Sequence, residues 1–328
     1  MSIYIRRYTA DDAEAWDKLV EESWNGTFLH TRRFLSYHGD RFQDASFVIE
    51  DENKRIVGVF PAAIDPAMKE RIVSHPGITY GGVVHNGSLH GIRMIEVLKS
   101  ICEACRQLGF QVLRYKAVPH IYHRIPASDD LYALSCLPAR RYRCDLAATV
   151  DLANRPPLAS RRRRSLGKAK HRGVCVGQGA CYLEPFWAIL EEHLYSRYGV
   201  APVHELREIR FLQSLFPQNI ECVVGTLDGA VVAGMVIFQT HQLAHCQYSA
   251  ASQKGYEVCA TDLVADHCIA NAMAAGKRYF DFGVSTDREG TCFNEGLYQF
   301  KIEFGAGGVV YEFYEIALQT LSTNCEIL

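Results

Sequence analysis

The sequence lacks any apolar run of the ~18 residues that a bilayer-spanning helix needs, and it lacks an excess of charge of either sign. Its 35 Lys and Arg residues are offset by 37 Asp and Glu residues, which leaves a formal net charge of −2. We therefore predict no membrane span. Any attraction to a polyanion must come from a local cluster of cations.

Metal-binding patterns are also missing, although the chain has 12 cysteines and 13 histidines. The pair Cys102 and Cys105 has no second CxxC partner, and His241 and His245 fall in a predicted turn and strand. We predict no metal site. The polar start, Met1–Arg7, does not resemble a signal peptide. We therefore expect a cytoplasmic location, where the thiols stay free.

The length of 328 residues favours two domains, because one core rarely extends over so many residues. A composition of 48% hydrophobic and 22% charged residues is typical of a globular enzyme. The stretch Leu152–Pro157 is polar and proline-containing, as linkers are. We predict an N-terminal domain over residues 1–150 and a C-terminal domain over 151–328.

Each half of the chain contains two β-branched runs that flank a polar turn, a pattern that predicts a β-hairpin. A further strand, a helix, a glycine at its C-terminal end and a last strand follow each hairpin. The hairpin runs are Ala45–Glu50 with Arg55–Ile64, and Ile220–Thr226 with Ala230–Gln239. The elements that follow are Gly77–Val84, His90–Leu108 and Phe110–Ala117 in the first half, and Leu243–Ala250, Ala260–Ala275 and Lys277–Gly283 in the second.

A helical pattern also precedes each hairpin, beginning at Trp16 and at Trp187. The same order of elements therefore occurs twice, which indicates a duplicated unit. Strands that alternate with helices predict a mixed sheet covered on its faces, and the fold class is α/β (α+β).

Three stretches carry a resemblance to a known family: Arg161–Val174, Tyr279–Ser285 and Asn294–Ala306. With the order of elements, they resemble the GNAT acyltransferases. A tandem pair is similar to the Fem family of aminoacyl-tRNA-dependent transferases and to its FemAB-related relatives. The resemblance implies two tandem GNAT-like domains, each a mixed β-sheet flanked by helices. It also implies acyl transfer to a small-molecule or peptide amine acceptor by direct attack, without a covalent enzyme intermediate or a permanently bound cofactor.

The co-substrate implied by the resemblance is either acyl-CoA or aminoacyl-tRNA. GNAT enzymes that use acyl-CoA have a glycine-rich pyrophosphate loop, but the corresponding stretch here is Gln253–Ala260. Its glycine is displaced, and Glu257 would repel phosphate where backbone N–H groups should receive it. The first copy, His85–Gly91, matches the loop less well. These departures count against coenzyme A in its usual position.

Three residues of the second copy are candidates for catalysis: Tyr248, Asp281 and Glu295. Tyr248 is a candidate proton relay or oxyanion donor, or a core tyrosine. Asp281 interrupts an apolar strand, where a carboxylate is costly unless it is paired; the alternatives are an active-site acid and a structural ion pair. Its counterpart in the first copy is Arg114, which predicts one active copy, the C-terminal one.

The run from Asn294 to Lys301 supplies further candidates. We predict that Asn294, Tyr298 and Lys301 bind substrate, with Lys301 holding a phosphate or carboxylate, and that Glu295 accepts the proton of the amine. A structural alternative is a helix start, with Asn294 as the N-cap and Glu295 in the first turn.

A basic segment precedes the second copy, and no acidic residue occurs between Leu152 and Leu183. On a helix, Arg161, Arg164, Lys168 and Arg172 share one face. Such a face suits phosphates, so we predict a phosphorylated partner, which includes tRNA, a nucleotide-bearing donor and a nucleotide-linked sugar. The alternative is a solvated helix face.

A second class of function is a GNAT-fold binding module that has lost its chemistry and holds a phosphorylated or cell-envelope precursor. The joint presence of Asp281, Glu295 and Lys301 favours the enzyme, because binding alone does not require all three.

Overall fold

The structure is a computed structural model that describes residues 3–320; residues 1–2 and 321–328, at the outer ends of the predicted domains, lie outside the described part. The strands, in chain order, are β1 Tyr4–Arg7, β2 Phe47–Glu50, β3 Ile56–Phe60, β4 Ala63–Asp65, β5 Met68–Val73, β6 Val84–His85, β7 Val112–Lys116, β8 Ala139–Asp151, β9 Cys175–Gln178, β10 Ile220–Leu227, β11 Ala230–Gln239, β12 Leu243–Ala251, β13 Tyr279–Val284, β14 Thr286–Asp287, β15 Cys292–Phe293 and β16 Gly307–Ala317. The α-helices are α1 Ala13–Glu22, α2 Arg32–Leu35, α3 Ile92–Gln107, α4 Asp129–Cys136, α5 Ser160–His171, α6 Leu183–Tyr198, α7 Leu206–Leu215, α8 Gln253–Glu257, α9 Ala260–Ala274 and α10 Glu295–Ile302. None of these helices is both long and apolar enough to cross a membrane.

The chain divides into two compact units. Unit 1 contains the described residues up to Asp145, Arg288–Thr291, and the described residues from Val310 onwards. Unit 2 contains Leu146–Asp287 and Cys292–Val309. The boundary at residues 150 and 151 stays a prediction.

Unit 2 contains a mixed sheet with the strand order β8-β13-β12-β11-β10-β9. The pair β12 and β13 is parallel, and the other neighbours are antiparallel. The predicted hairpin of β10 and β11 is confirmed, and its turn residues Asp228 and Gly229 have φ values of 50° and 81°, as tight hairpin turns require. Helix α9 packs on one face of the sheet through residues such as Val264 and Ile269.

The other face of this sheet packs against α6, which supplies the buried side chains Phe186 and Trp187. At Gly234, in the middle of β11, an added Cβ would lie 2.5 Å from Cδ2 of Phe186. Glycine therefore lets α6 approach the sheet closely at this point.

Unit 1 contains two groups of paired strands. Strands β1, β2, β3 and β6 form an antiparallel sheet in that order. In the other group β4 pairs with β5, β5 runs parallel to β7, and β7 pairs with β16. Helix α3 covers the core of this unit with the buried side chains Ile95, Leu98 and Ile101.

One predicted strand of the first half is wrong. Residues 77–84 are mostly irregular, and only Val84–His85 pairs, as β6. The parallel neighbour of β7 is instead β5, which follows β4 after a turn in which Asp65 Oδ1 accepts a hydrogen bond from the N–H of Ala67. The extended chain is broken because His75 and Gly82 have φ values of 54° and 79°.

The strand that follows each repeat in the chain, β8 or β16, completes the sheet of the other unit. Strand β8 follows β7 and α4 in the chain, but its residues Ala147–Asp151 pair with β13 in unit 2. Strand β16 follows β13 and α10, but its residues Phe313–Ala317 pair with β7 in unit 1. Each unit therefore completes its sheet with a segment that lies in the other half of the sequence.

Candidate functional site

The parallel ladder between β12 and β13 is short. It joins Leu243–His245 to Tyr279–Asp281, whereas β12 continues to Ala251 and β13 to Val284. Just beyond the ladder, Gly283 has a φ of 73°, and the pairing of β13 with β8 shifts its register. The two strands thus separate at His245 and Asp281, and the side chains there lie at the mouth of the opening.

Asp281 is completely buried at this point. Its Oδ1 atom accepts hydrogen bonds from Thr149 Oγ1 at 2.8 Å and from the N–H of Gly283 at 3.1 Å. Its Oδ2 atom lies 2.8 Å from Nδ1 of His245. These partners make burial of the carboxylate tolerable, since a buried charge must be paired and hydrogen-bonded.

His245 is the functional candidate that sequence reasoning missed. Its Nδ1–H donates to Asp281, so Nε2 is the basic nitrogen of the neutral ring. The side chain is 12% exposed. A Cβ added at Gly283 would lie 3.3 Å from Cε1 of His245, so glycine gives the ring room beside β13. The feature that identifies His245 is its register opposite Asp281, and this register is known only once the pairing of the strands is known.

The side chain of Lys301, on α10, extends to the end of β13. Its Nζ donates to the carbonyl oxygens of Gly283 at 2.8 Å and Val284 at 2.7 Å. Burial lowers the pKa of Lys301 to about 8, although the nearby charge of Asp281 opposes this. The ammonium thus holds α10 against the end of β13, and its predicted role in substrate binding stays a prediction.

Tyr248 lies further along β12, on the same face as His245, because they pair with Val236 and Phe238 on alternate positions of β11. Its hydroxyl oxygen accepts from the N–H of His204 at 3.2 Å and lies 2.6 Å from Nδ1 of that residue. Burial raises the pKa of Tyr248 to about 12. The hydroxyl therefore ties the segment before α7 to β12.

The run that begins at Asn294 forms the start of α10. Asn294 Oδ1 accepts from the N–H of Leu297 at 3.0 Å, so the predicted N-cap is confirmed. Glu295 is exposed in the first turn of α10, and its role as acceptor of the amine proton stays a prediction. The ring of Tyr298 lies 5.3 Å from that of Phe293.

The basic segment forms α5, with Arg172 as its C-cap. Arg164, Lys168 and Arg172 are exposed, and their side chains form no hydrogen bond or ion pair with other described residues. Arg161 is also exposed, but it bonds Glu303 at 3.0 Å.

Although no acidic residue lies nearby in the sequence, some cations of this segment have partners in the fold. Arg162 is buried and bonds both Asp262 and Glu303, the latter at 2.8 Å. These acids lie about a hundred residues or more away in the sequence, so only the fold brings them to the helix. The exposed basic face of α5, hereafter the basic stripe, is therefore Arg164, Lys168 and Arg172, with Arg161 partly neutralised.

The segment before α9 does not fit a pyrophosphate. Its backbone N–H groups bond within the segment: those of Tyr256, Val258 and Cys259 donate to carbonyl oxygens at 3.0, 3.1 and 3.1 Å. A Cβ added at Gly255 would lie 2.1 Å from the carbonyl oxygen of Val232, so this glycine serves packing. The displaced glycine noted in the sequence thus has a structural cause.

In unit 1 the position that corresponds to the opening between β12 and β13 is occupied by other residues of the chain. At the end of the β5–β7 ladder, the N–H of Lys116 donates to Ser74 Oγ at 2.7 Å, and its Nζ donates to the carbonyl of Ile78. Gly81 donates its N–H to the carbonyl of Lys116 at 2.9 Å. Arg114, the counterpart of Asp281, pairs with Glu315 at 3.0 Å. The described part of unit 1 therefore has no equivalent of the His245–Asp281 pair.

Comparison with known proteins agrees with this architecture. Residues 159–301 match the model of the acetyltransferase (GNAT) domain family. No curated protein matches the chain.

Among solved structures, FemX is 12% identical, with a TM-score of 0.68 over 96% of this chain and 98% of FemX. L-PGS from Bacillus licheniformis is 15% identical, with a TM-score of 0.63 over 93% of this chain and 91% of that one. A tandem GNAT protein from the clavulanic acid biosynthesis pathway is 10% identical, with a TM-score of 0.55 over 97% of this chain and 99% of that one. At these identities the likeness concerns the fold, and the predicted tandem GNAT fold is confirmed.

Proposed function

We propose, from the GNAT domain match of residues 159–301 and the tandem fold shared with FemX, that the chain is an N-acyltransferase whose active site lies in unit 2. The observation that carries this proposal is the His245–Asp281 pair at the point where β12 and β13 separate. A buried carboxylate that orients a histidine is one arrangement that supports general-base catalysis.

In the proposed reaction the amine of the acceptor attacks the carbonyl carbon of the donor. His245 Nε2 takes the proton that the amine loses as the C–N bond forms. When the bond between the carbonyl carbon and the leaving oxygen breaks, the imidazolium returns the proton to that oxygen. Asp281 holds the ring in position and balances its positive charge in between. No covalent bond to the enzyme forms.

We further propose that the donor is an aminoacyl-tRNA and not acyl-CoA. Two observations support this. The segment before α9 uses its N–H groups internally, so it offers few free donors to the pyrophosphate of coenzyme A. The basic stripe on α5 offers exposed guanidinium and ammonium groups to a phosphate backbone. Such a donor places the reaction in the cytoplasm.

The experiment supplies labelled acyl groups from charged tRNA and, separately, from acyl-CoA, with a panel of primary amines as acceptors. We expect transfer from charged tRNA, and a fall of about 10²–10⁴ in rate for His245→Gln. The matched control is His241→Gln, an exposed histidine next to the same strand.

Transfer from acyl-CoA alone would overturn the proposed donor. Full activity of His245→Gln would overturn the proposed mechanism. If the protein binds tRNA but transfers from neither donor, the chain is a binding module and the proposed activity is wrong.

A further inference from the structure

A cleft lies in unit 2, and its lining does not include His245 or Asp281. Its volume is about 830 Å³, which is in the range of small-molecule sites. Side chains line it from β10, β11, α7 and the segment before β13. Those that the following argument uses are Glu221, Gln239, Arg210 and Lys277.

Gln239 has an unsatisfied acceptor in the wall of this cleft. Its Nε2 donates to Glu221 Oε2 at 3.3 Å, and this contact fixes the orientation of the amide, because the reverse would place two oxygens together. Its Oε1 atom is buried and accepts no hydrogen bond from any described residue. A buried acceptor without a donor is costly, and a ligand that supplies an N–H would remove that cost.

Glu221 adds a negative charge beside this acceptor. Among residues 3–320, only Gln239 donates a hydrogen bond to its carboxylate, and that bond is long, so most of its acceptor capacity remains. An ammonium group of a ligand would satisfy both the carboxylate and the amide oxygen.

The lining of this cleft also carries two positively charged side chains, Lys277 and Arg210. Lys277 is half-buried, and its Nζ donates to the carbonyl of Thr240, which leaves further N–H donors on the ammonium. Arg210 is exposed and pairs with Glu184 at 2.7 Å, which does not use all the donors of its guanidinium. A carboxylate is the group that a guanidinium and an ammonium bind together.

The sheet separates this cleft from the catalytic candidates. Gln239 pairs with Ala244, whose side chain belongs to the core under α9. The next residue, His245, therefore points to the opposite face of the sheet, because successive side chains alternate. The cleft is thus a site of its own.

We propose that this cleft binds a free α-amino acid. The ammonium group of the ligand lies against Glu221 and Gln239, and its carboxylate lies against Lys277 and Arg210. A lining that carries both signs of charge matches a zwitterion. A ligand with only one charge binds less well, because the acidic or the basic side chains of the cleft would then be left unpaired.

The test is calorimetric titration of the full chain, in an amine-free phosphate buffer, with glycine, L-alanine, L-serine and L-lysine singly. Two matched probes each lack one charge: N-acetyl-L-alanine has no ammonium group, and L-alaninamide has no carboxylate. We expect at least one amino acid to bind, and the L-alanine analogues to bind at least about tenfold more weakly than L-alanine. Glu221→Gln and Lys277→Met should each weaken binding similarly, whereas Glu257→Gln, an exposed control, should not.

The variant Gln239→Met distinguishes a loss of ligand binding from a loss of folding. Because it removes an unsatisfied buried oxygen, we expect the variant to unfold at the same temperature as the wild type or higher in the absence of ligand. It should lose the upward shift in melting temperature that the amino acid causes in the wild type. Absence of binding by every amino acid, or equal affinity for L-alanine and its N-acetyl form, would overturn the proposal.

Discussion

Nδ1 of His245 lies 2.8 Å from Oδ2 of Asp281, a carboxylate that is completely buried. The two residues are neighbours in the parallel register of β12 and β13, at the last pair before the strands separate. Thr149 and the N–H of Gly283 hold the other oxygen of the carboxylate, so its direction is fixed from two sides. The imidazole is therefore presented to the opening in one orientation.

Replacing Asp281 by Asn should lower the rate of acyl transfer by about 10²–10⁴. The amide can still accept from Thr149, but it has no charge to balance the imidazolium. Steady-state kinetics should show the loss in kcat with KM little changed, while circular dichroism reports a folded protein. A rate within a factor of about two of the wild type would show that the pair has only a structural role.

Two glycine-to-alanine substitutions should have opposite effects on stability. At Gly255 the new Cβ would lie 2.1 Å from the carbonyl oxygen of Val232, so we expect a loss of at least about 2 kcal/mol in the free energy of unfolding. At Gly167, inside α5, nothing lies within 4 Å, and Ala is the better helix former, so we expect a gain of about 0.5–1 kcal/mol. Urea denaturation measures both. Equal effects would contradict the packing role of Gly255.

Acid should destabilise the protein through His30. Burial lowers the pKa of this residue from 6.5 to about 4. The unfolded chain therefore takes up the proton at a higher pH than the folded protein does, and the free energy of unfolding falls as the pH drops from about 6.5 to about 4. At about pH 4.5 this single group costs about 2.5 kcal/mol.

Denaturation of wild type and His30→Gln at neutral pH and at about pH 4.5 measures the contribution of His30 to the loss of stability in acid. The variant should lose less stability on acidification, by roughly the 2.5 kcal/mol above. His171→Gln, on the exposed end of α5, is the control and should behave as the wild type does. The same acid loss in all three proteins would remove His30 as the cause.

The basic stripe should set the salt dependence of tRNA binding. Replacing Arg164, Lys168 and Arg172 by Gln removes up to three phosphate contacts, so the slope of log affinity against log salt should flatten by about 2. The control replaces Arg163 and Lys170, two exposed cations outside the stripe. Filter binding over a range of salt concentrations distinguishes the two. An unchanged slope for the triple variant would mean that the stripe does not bind phosphates.

A fragment that ends at residue 145 should not form a stable unit 1. It lacks residues Phe313–Ala317 of β16, which pair with β7, and the buried side chains Ile316 and Leu318. Amide hydrogen exchange should show little protection in β7. Protection should rise when a peptide covering residues 307–320 is added. Full protection without the peptide would contradict the dependence on β16.

Much of the architecture could be predicted because local patterns specify it. The hairpin of β10 and β11 has an Asp-Gly turn, and α3 and α9 end before glycines with positive φ, Gly109 and Gly276. The alternation of strands and helices then pointed to a mixed sheet in each half. Asn294 could be recognised as an N-cap from its place before an apolar helix.

What could not be predicted depends on residues that are distant in the sequence. The role of His245 follows from its register opposite Asp281, and the burial of Arg162 follows from Asp262 and Glu303. The third strand of unit 1 was misplaced because Met68–Val73 is polar in its first half, while the apolar stretch that follows is bent by positive φ angles. Tertiary contacts decided the first two cases, whereas local polarity and backbone conformation decided the third.

The pairing of β16 with β7, which is far earlier in the chain, also affects how the chain folds on the ribosome. Residues Phe313–Ala317 of β16 are synthesised about two hundred residues after β7, so the nascent first half emerges with one edge of β7 still unpaired. An open strand edge invites pairing with other chains. Unit 1 therefore completes its sheet only after β16 has been synthesised, and until then chaperones or rapid collapse of the rest of its core must protect that edge.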